Sequence, residues 1–464
     1  MRVLLVQFSR KHQGFPLGLA YVAGTLLREG HRVSFIDLGF EADPQAALSL
    51  KIQRTNAQAI GVTLYTMTYG EFQSLFSRCD ACRTVFVVAG GVHAEIAPQQ
   101  VLQDGWVDVV VRFEGEVVAP KLFRVLESGG DLSGVEGIGF LDRKGHVVLT
   151  AQPKEYADLD NIPGPAYDLV PVRNYKRIVH GRQATYAMTA RGCPYRCVFC
   201  HRGPSSGRRV RFMGVERVVD ELTLLYSKYG FRSFVFYDDI FTINRRRFMA
   251  LSEGIIRSGL RIHWICETRV DAVDRGMLRQ MKRAGCVGIH FGVESGHPDI
   301  LRHMNKGTTL EETEQAFAWC REFRIPTIAY MMLGTPWDTE ETLRTTLAFL
   351  KRIKPTVTQF FATRPYPGTA VREIFIAKGM ALPNRYDDYA HFVEGEVGTD
   401  RYGRYMEQEA GIRTQCVEST KEMIRSQLLD VRHYPRLISE FTDMYGAKRF
   451  IRDAWQRLRL FRAG

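Results

Sequence analysis

The chain has 464 residues, enough for two or three domains with separate hydrophobic cores. Hydrophobic residues make up 45% of it, yet no apolar run approaches the ~20 residues that span a membrane. The formal net charge of +12 favours anionic partners. This charge does not by itself choose among nucleic acid, a membrane surface and a phosphate-bearing substrate or cofactor.

The first 150 residues alternate strand and helix. Short apolar runs predict five buried parallel strands, at residues 3–8, 33–36, 60–64, 85–89 and 107–111. A helix is predicted from Leu17 to Arg28. The pattern predicts an α/β protein whose N-terminal domain, residues 1–150, is a doubly wound, Rossmann-like sheet. Ligands of such sheets bind beyond the carboxyl ends of the strands, so the loops after the strands are candidate binding segments.

A second strand–helix series follows a linker. Residues 151–181 are rich in proline and aspartate and have few periodic apolar positions, which predicts the linker. Strands are then predicted at residues 185–189, 233–237, 263–266, 287–291, 327–333 and 357–362. Six parallel strands joined by helices predict a partial (β/α)6 barrel over residues 182–385. In barrels the chemistry gathers at the carboxyl ends of the strands, where polar residues recur in this sequence.

A cysteine triplet lies in the loop after the first strand of this series. Cys193, Cys197 and Cys200 are spaced C-x3-C-x2-C, which can hold three irons of a cubane iron–sulfur cluster and leave the fourth iron open. A closed zinc site would need a fourth ligand. The run from Cys197 to His201 also fits the C-x-x-C-H pattern of haem attachment, but that requires export, and the N-terminus reads as a strand. The spacing therefore favours the cluster as the metal site.

The remaining cysteines are scattered along the chain. This distribution favours a cytoplasmic protein with free thiols over a disulfide scaffold. Cys79 and Cys82 form a C-x-x-C at the end of a predicted helix, and we expect them to be structural rather than metal-binding.

The C-terminal residues 386–464 predict a small helical domain. Residues 447–461 place apolar side chains on one helical face and mostly basic ones opposite. Such a helix packs on its own domain or lies on an anionic membrane. We expect a cytoplasmic protein, with peripheral contact at the inner face of the membrane as the alternative.

With Phe199 before its last cysteine, the triplet resembles the signature of the radical S-adenosylmethionine (SAM) enzymes. In that family the open iron binds SAM, and one electron splits SAM into methionine and a 5′-deoxyadenosyl radical. The resemblance implies a [4Fe-4S] cluster, SAM and an external one-electron donor such as flavodoxin or ferredoxin. The SAM contacts that it implies are Asp238 or Asp239 for the amino group, Arg269 for the carboxylate, Glu294 and Ser295 for the ribose, and Gly334 with Phe199 for the adenine. Tyr366, which follows the sixth strand, is implied to line the substrate cavity and is the candidate catalytic residue.

The N-terminal loops resemble the cobalamin-binding domain of one large branch of that family. A G-G-x-H-A pattern occupies residues 90–94, and a G-E-G-E pattern with Phe113 replacing its first glycine occupies residues 113–116. Neither loop matches the dinucleotide-binding pattern G-x-G-x-x-G. The implied cobalamin contacts are Gly18, Leu19, Tyr65, Thr66, Gly90, Gly91, His93, Glu114, Gly115 and Glu116.

The resemblance covers about residues 1–375. It implies a cobalamin-dependent methyltransferase that moves a methyl group from methylcobalamin to an unactivated carbon, or a phosphinate phosphorus, of a small molecule. A radical SAM oxidative cyclase of the tetrapyrrole type, which shares this domain order, is the first alternative. An RNA-modifying methylthiotransferase would suit the basic charge, but its usual second cysteine triplet and C-terminal RNA-binding barrel are not visible, so no nucleic-acid partner is expected. A non-catalytic cobalamin carrier would leave the cysteine triplet unexplained.

Overall fold

The computed structural model describes residues 1–8, 14–201, 207–380 and 382. The predicted C-terminal domain, including the basic helix at residues 447–461, lies outside the described residues. Within the described part of the chain, no helix is both long enough and apolar enough to cross a membrane.

The N-terminal sheet contains seven strands. They are β1 (Arg2–Gln7), β2 (Arg32–Asp37), β3 (Ala59–Thr63), β4 (Phe86–Gly90), β5 (Val109–Val111), β6 (Ile138–Leu141) and β7 (Val147–Leu149). Their order is β2-β1-β3-β4-β5-β6-β7, with β1 to β5 parallel and β6 and β7 antiparallel. The five predicted strands and the doubly wound sheet are confirmed. The sequence did not reveal β6 and β7, because both are only three or four residues long and partly exposed.

Helices cover the faces of this sheet. They are α1 (Leu17–Arg28), α2 (Pro44–Thr55), α3 (Tyr69–Ser77), α4 (Val92–Ile96), α5 (Pro98–Gln103) and α6 (Gly115–Ser128). Helix α1 has the predicted bounds. Helix α2 shows how its ends are fixed: the Asp43 side chain accepts the N–H of Ala46 at the start, and Asn56 is left-handed at the end, with φ of 46°.

The second half of the chain forms another seven-stranded sheet and a short ribbon. The strands are β8 (Arg177–Val179), β9 (Arg182–Ala187), β10 (Ala190–Arg191), β11 (Arg211–Phe212), β12 (Ser233–Phe236), β13 (His263–Thr268), β14 (Cys286–Glu294), β15 (Thr327–Leu333) and β16 (Val357–Ala362). The sheet order is β16-β15-β14-β13-β12-β9-β8, while β10 and β11 pair with each other. Strands β9 and β12 to β16 are parallel, and β8 is antiparallel. The six predicted strands and the partial barrel are confirmed.

Seven helices accompany this sheet in the described ranges. They are α7 (Val215–Ser227), α8 (Arg245–Arg257), α9 (Arg275–Arg283), α10 (Pro298–His303), α11 (Leu310–Glu322), α12 (Glu340–Ile353) and α13 (Ala370–Ala377). Helix α11 begins with a capping box between Thr309 and Glu312.

The segment predicted as a linker, residues 151–181, is packed against both sheets. The Tyr175 hydroxyl donates to Asp37 of β2 at 2.8 Å, and the Tyr167 hydroxyl donates to Glu221 of α7 at 2.7 Å. Both tyrosine rings belong to one hydrophobic core that runs through the two halves of the chain. The segment also contains β8, so the second sheet begins before residue 182. Its apolar positions have neither a strand nor a helix period, which is why the sequence did not reveal this packing.

Candidate active site

The cysteine loop is anchored at its start and in its middle. Gly192 begins it with φ of 99°, a backbone conformation that favours glycine. The Gly192 N–H donates to Asp239 Oδ2 at 3.1 Å. Further along, the Val198 N–H donates to the Met304 carbonyl at 3.0 Å, and the Val371 N–H donates to the Val198 carbonyl at 2.9 Å. Segments after β12, α10 and β16 thus hold one loop in place.

This loop carries the three cysteine thiols of the predicted cluster site. Cys193 is buried, and Cys197 and Cys200 are partly exposed. Burial raises the pKa of the Cys197 thiol, while the positive charges of Lys306 and Arg269 oppose that change and favour the thiolate. No group of three or more Cys, His, Asp or Glu side chains is arranged as a metal site in the described ranges. By the chemistry of their donor set, the three thiols nevertheless fit an iron–sulfur cluster.

The two adjacent aspartates after β12 have different partners. Asp238 is buried and accepts hydrogen bonds from the N–H groups of Thr189 at 2.6 Å and Ala190 at 3.1 Å, and from the Thr189 hydroxyl. Burial raises the pKa of Asp238 to about 6. Asp238 thus holds the chain just after β9, whereas Asp239 meets Gly192 in the cysteine loop. Of the two predicted SAM contacts, Asp239 is the one that lies against that loop.

Glu294 has a strained backbone and a buried ion pair. Its φ of 67° is rare for a residue other than glycine. It lies where the register between β14 and β15 shifts. Its Oε1 is 2.8 Å from the Lys306 ammonium, and the two side chains are 10% and 6% exposed. A Cβ on Gly292 would come within 2.6 Å of that oxygen and 2.8 Å of the ammonium, so a side chain there would displace the ion pair from its present position.

Lys306 also connects this ion pair to the cysteine loop. Its ammonium lies 5.9 Å from the centre of the Phe199 ring. Lys306 is therefore a neighbour of both Glu294 and Phe199, which are predicted SAM contacts, and the sequence did not indicate it. Backbone strain such as that of Glu294 is typical of functional sites.

Arg269 supports the cysteine loop from β13. It donates to both Asp271 carboxylate oxygens at 2.8 Å and to the Lys306 carbonyl at 2.8 Å. Its guanidinium carbon lies 3.6 Å from the centre of the Tyr195 ring, which belongs to the loop. This is a cation–π contact beside the first cysteine. The predicted contact between Arg269 and the SAM carboxylate stays a prediction.

Two further predicted SAM contacts lie at neighbouring strand ends. The Ser295 hydroxyl is 3.2 Å from that of Thr346 and accepts the N–H of His297 at 3.1 Å. Gly334 follows β15 with φ of 71°, which glycine adopts without strain. Their contacts with the ribose and the adenine stay predictions.

Tyr366 lies where the loop after β16 meets the cysteine loop and the N-terminal half. Its ring stacks on that of His201 at 5.0 Å. Its hydroxyl accepts a hydrogen bond from Arg364 at 2.9 Å, and Arg364 also contacts the Met67 sulfur at 3.0 Å. Burial lowers the pKa of His201 to about 4, so its ring is neutral near pH 7.

The loops after β3 and β4 bring together several predicted cobalamin contacts. His93 is fully buried, with its Nδ1 3.2 Å from the Thr66 hydroxyl. Its ring centre is 4.3 Å from that of Tyr69. Burial, followed by the nearby His201, lowers the pKa of His93 to about 3. These two histidines therefore bring the N-terminal loops close to the cysteine loop.

The glycines in these loops serve different purposes. Gly91 has φ of 89°, and a Cβ there would lie 2.8 Å from the Thr63 side chain, so packing at the end of β3 requires it. A Cβ on Gly90 would meet Val111 only at 3.8 Å, and one on Gly18 would meet no atom within 4 Å. A side chain would therefore fit at Gly18 and Gly90 without a clash, and their contacts with cobalamin stay predictions. Leu19 faces the hydrophobic core.

The G-E-G-E segment contacts protein rather than open space. Glu114 accepts hydrogen bonds from Arg191 and Arg211, and Glu116 accepts one from Arg191. A Cβ on Gly115 would lie 2.7 Å from the Val22 side chain, so this glycine allows α6 to pack on α1. The contacts of Glu114, Gly115 and Glu116 with cobalamin stay predictions.

Two accessible aromatic side chains follow strands of different sheets. Tyr65 follows β3 and Tyr237 follows β12, and the two are 44% and 61% exposed. Burial also raises the pKa of both hydroxyls, so each ring has accessible surface although protein surrounds it, as in the wall of a cleft. The Tyr186 ring lies 4.9 Å from that of Tyr237. Phe361 of β16 is 38% exposed beside Tyr330.

A polar chain lies inside the barrel. The His290 Nδ1 is 2.7 Å from the Tyr330 hydroxyl, which donates to Glu267 Oε1 at 3.3 Å. Burial lowers the pKa of His290 to about 3, so the ring is neutral near pH 7. Because Tyr330 donates to Glu267, the histidine proton lies on Nδ1 and is donated to Tyr330. Burial raises the pKa of Glu267, whose side chain is exposed to the internal space.

Several residues that hold the site together were not among the residues predicted from the sequence. Lys306 and Asn305 lie far along the chain from the cysteines, and the Asn305 side chain donates to the Arg196 carbonyl at 2.8 Å. Tyr330 and His290 look like ordinary strand residues. Their only sequence signal is a polar residue inside an otherwise apolar strand.

Two family models match the chain. They are the radical SAM superfamily over residues 188–350 and the B12 binding domain over residues 3–123. The chain is 33% identical to an uncharacterized methyltransferase of Pyrococcus horikoshii over 379 residues, 81% of this chain and 82% of that protein. It is 30% identical to an anaerobic magnesium-protoporphyrin IX monomethyl ester cyclase of Cereibacter sphaeroides over 364 residues, 76% of this chain and 59% of that protein.

The fold is similar to that of a solved radical SAM methyltransferase, TsrM from Kitasatospora setae. The TM-score is 0.71 at 22% sequence identity, and the match covers 82% of this chain and 79% of that one.

Proposed function

The chain belongs to the cobalamin-dependent radical SAM family, and we propose that within this family it is a methyltransferase that acts on a small molecule bound between its two sheets. The proposed methyl acceptor is an unactivated carbon, with a phosphinate phosphorus as the alternative. The observation that carries the proposal is the pair of accessible rings that border this cleft, Tyr65 of the N-terminal half and Tyr237 of the barrel. It lies at the carboxyl strand ends, where both domain types bind their cofactors.

The cofactors of this enzyme are a [4Fe-4S] cluster, SAM and cobalamin. When bound, SAM on the cluster supplies a 5′-deoxyadenosyl radical, and cobalamin supplies the methyl group. Cys193, Cys197 and Cys200 are the residues that would hold the cluster. The open positions at Gly18 and Gly90 would accept cobalamin against the backbone.

The protein's own side chains orient the reactants in this proposal. Asp239 fixes the start of the cysteine loop, and the ion pair of Glu294 and Lys306 fixes the region beside Phe199. Glu267 accepts a hydrogen bond from Tyr330, and its carboxylate faces the internal space. It would bind a hydroxyl or N–H group of the substrate, while the aromatic rings would cover an apolar body and exclude water.

The external electron donor is proposed to be a small acidic protein such as flavodoxin or ferredoxin. The net charge of +12 favours such an encounter by electrostatic attraction.

A cyclase is the second candidate function, because a relative that is 30% identical carries that name. Labelling separates the two. Reconstituted protein is incubated anaerobically with reductant, SAM deuterated in its methyl group, and a small-molecule extract. Methyl transfer predicts a small molecule that gains the deuterated methyl group, and the Cys197→Ala variant should not form it. 5′-Deoxyadenosine formed together with a dehydrogenated, unlabelled product would favour the cyclase and contradict the proposal.

A further inference from the structure

The two carboxylates of the G-E-G-E segment are buried at the boundary between the two halves of the chain. The side chains of Glu114 and Glu116 are 4% and 5% exposed. Carboxylates are rarely buried to this extent without a cation, because burial removes their hydration. Their partners therefore indicate what the segment does.

Both partners come from the second half. Arg191 donates to Glu114 Oε1 at 3.1 Å and to Glu116 Oε1 at 2.6 Å, so one guanidinium bridges the two acids. Arg211 donates to Glu114 Oε2 at 3.0 Å and Oε1 at 2.7 Å. Glu114 Oε2 also accepts a hydrogen bond from the Ala157 N–H at 2.7 Å. Two carboxylates thus face two guanidinium groups, and the net charge of the cluster is zero.

The two arginines lie at the base of the cysteine loop. Arg191 is in β10 and Arg211 is in β11, and they are direct partners in the antiparallel ribbon. Cys193 follows Arg191 by two residues. The segment that carries all three thiols leaves the ribbon at one arginine and returns to it at the other.

Aromatic rings complete this arrangement. The Arg191 guanidinium lies 5.5 Å from the ring centre of Tyr21 in α1, and that of Arg211 lies 4.6 Å from the ring centre of Tyr156. Ion pairs and cation–π contacts therefore hold the ribbon in place against residues 1–157. Bidentate guanidinium–carboxylate geometry fixes orientation as well as distance.

We propose that Glu114 and Glu116 are positioning residues for the iron–sulfur cluster, and that they act through Arg191 and Arg211 to fix the cysteine loop against the N-terminal domain. This assignment replaces the cobalamin contact that the resemblance implied for the two glutamates. It rests on the proposed function only in taking the cysteine loop to hold the cluster.

The first test compares Glu116→Gln with wild type and with Glu322→Gln, using the full chain reconstituted with iron, sulfide and hydroxocobalamin. Glu322 pairs with Arg275 on the surface, at 41% exposure, and is the matched control. Removing one partner of a buried ion network disrupts the structure far more than removing one partner of an exposed pair. The Glu116→Gln protein should therefore lose iron to a chelator at least about tenfold faster than wild type or Glu322→Gln. It should also shift the electron paramagnetic resonance signal of the reduced cluster. Its Kd for hydroxocobalamin should stay within about threefold of wild type, since no cobalamin contact is removed.

The second test asks whether Glu116 acts through Arg191. In a double-mutant cycle with Arg191→Met, the double variant should lose iron no faster than the worse single variant, because both changes break the same contact. If Glu116→Gln does not fold, Arg191→Lys takes its place, since an ammonium cannot bridge both acids as the planar guanidinium does.

Three outcomes would overturn the proposal: loss of cobalamin with iron retained, iron loss equal to that of Glu322→Gln, or additive effects in the cycle. A different result would contradict the proposed function: wild-type protein that holds no iron and does not cleave SAM.

Discussion

Several buried charges and polar side chains of the candidate site have a specific partner. Glu294 is neutralised by Lys306, and Asp238 accepts three hydrogen bonds from Thr189 and Ala190. His290 is neutral and is hydrogen-bonded to the Tyr330 hydroxyl. Because a buried polar group without a partner costs free energy, each of these contacts restricts the site to one arrangement. That restriction is what a reaction involving a reactive radical requires of its surroundings.

The depressed pKa of His290 predicts a specific acid sensitivity. Its folded-state pKa is about 3, from burial and then the positive charge of Arg177. As pH falls below about 6.5, the histidine therefore binds a proton in the unfolded state but stays neutral in the folded state. At about pH 5 this difference lowers the free energy of unfolding by about 2 kcal/mol. Glu267 and Tyr330 face the same network.

The variant His290→Gln keeps a hydrogen-bonding group and removes the titration. Urea unfolding near neutral pH and at about pH 5 should show a smaller loss of stability on acidification for the variant than for wild type. Equal losses in the two proteins would show that His290 does not titrate in this way.

Packing between elements explains which predictions from sequence succeeded. The parallel strands are mostly runs of buried apolar residues, so local sequence located their ends to within three residues. Strands β6, β7 and β8 lie toward the sheet edges and carry no such run, and the segment at residues 151–181 packs through scattered apolar residues. The cysteine triplet was readable because its members are local. The roles of Lys306, Asn305 and the two arginines of the ribbon were not, because their partners are distant in sequence.

Gly115 illustrates a residue whose role is set by packing of elements. A Cβ there would lie 2.7 Å from Val22, so Gly115→Ala should push α6 from α1 and lower stability by about 1–3 kcal/mol. Gly164→Ala is the control, since a Cβ at that position meets no atom within 4 Å. Unfolding by urea measures the stability of both. The folded Gly115→Ala protein should bind hydroxocobalamin like wild type, and a lost affinity with unchanged stability would instead support a cofactor contact.

Among the described residues, the two halves share one hydrophobic core and also meet through other contacts. These include the packed segment at residues 151–181, the ion network of Glu114 and Glu116, and the contact of Arg364 with Met67. Each joins the cobalamin-type domain to the barrel near the carboxyl strand ends. The cofactors of the two domains would therefore act on one substrate in one enclosed space.

The most direct test of methyl transfer is the ratio of the two products made from SAM. With the substrate identified by deuterium labelling, the reduced and reconstituted enzyme is stopped at several times, and S-adenosylhomocysteine and 5′-deoxyadenosine are quantified together. Methylation by this family's chemistry consumes one SAM as methyl donor and another as radical source, so S-adenosylhomocysteine and 5′-deoxyadenosine should form in equal amounts, each matching the methylated product. 5′-Deoxyadenosine formed with substrate turnover but without S-adenosylhomocysteine would contradict it.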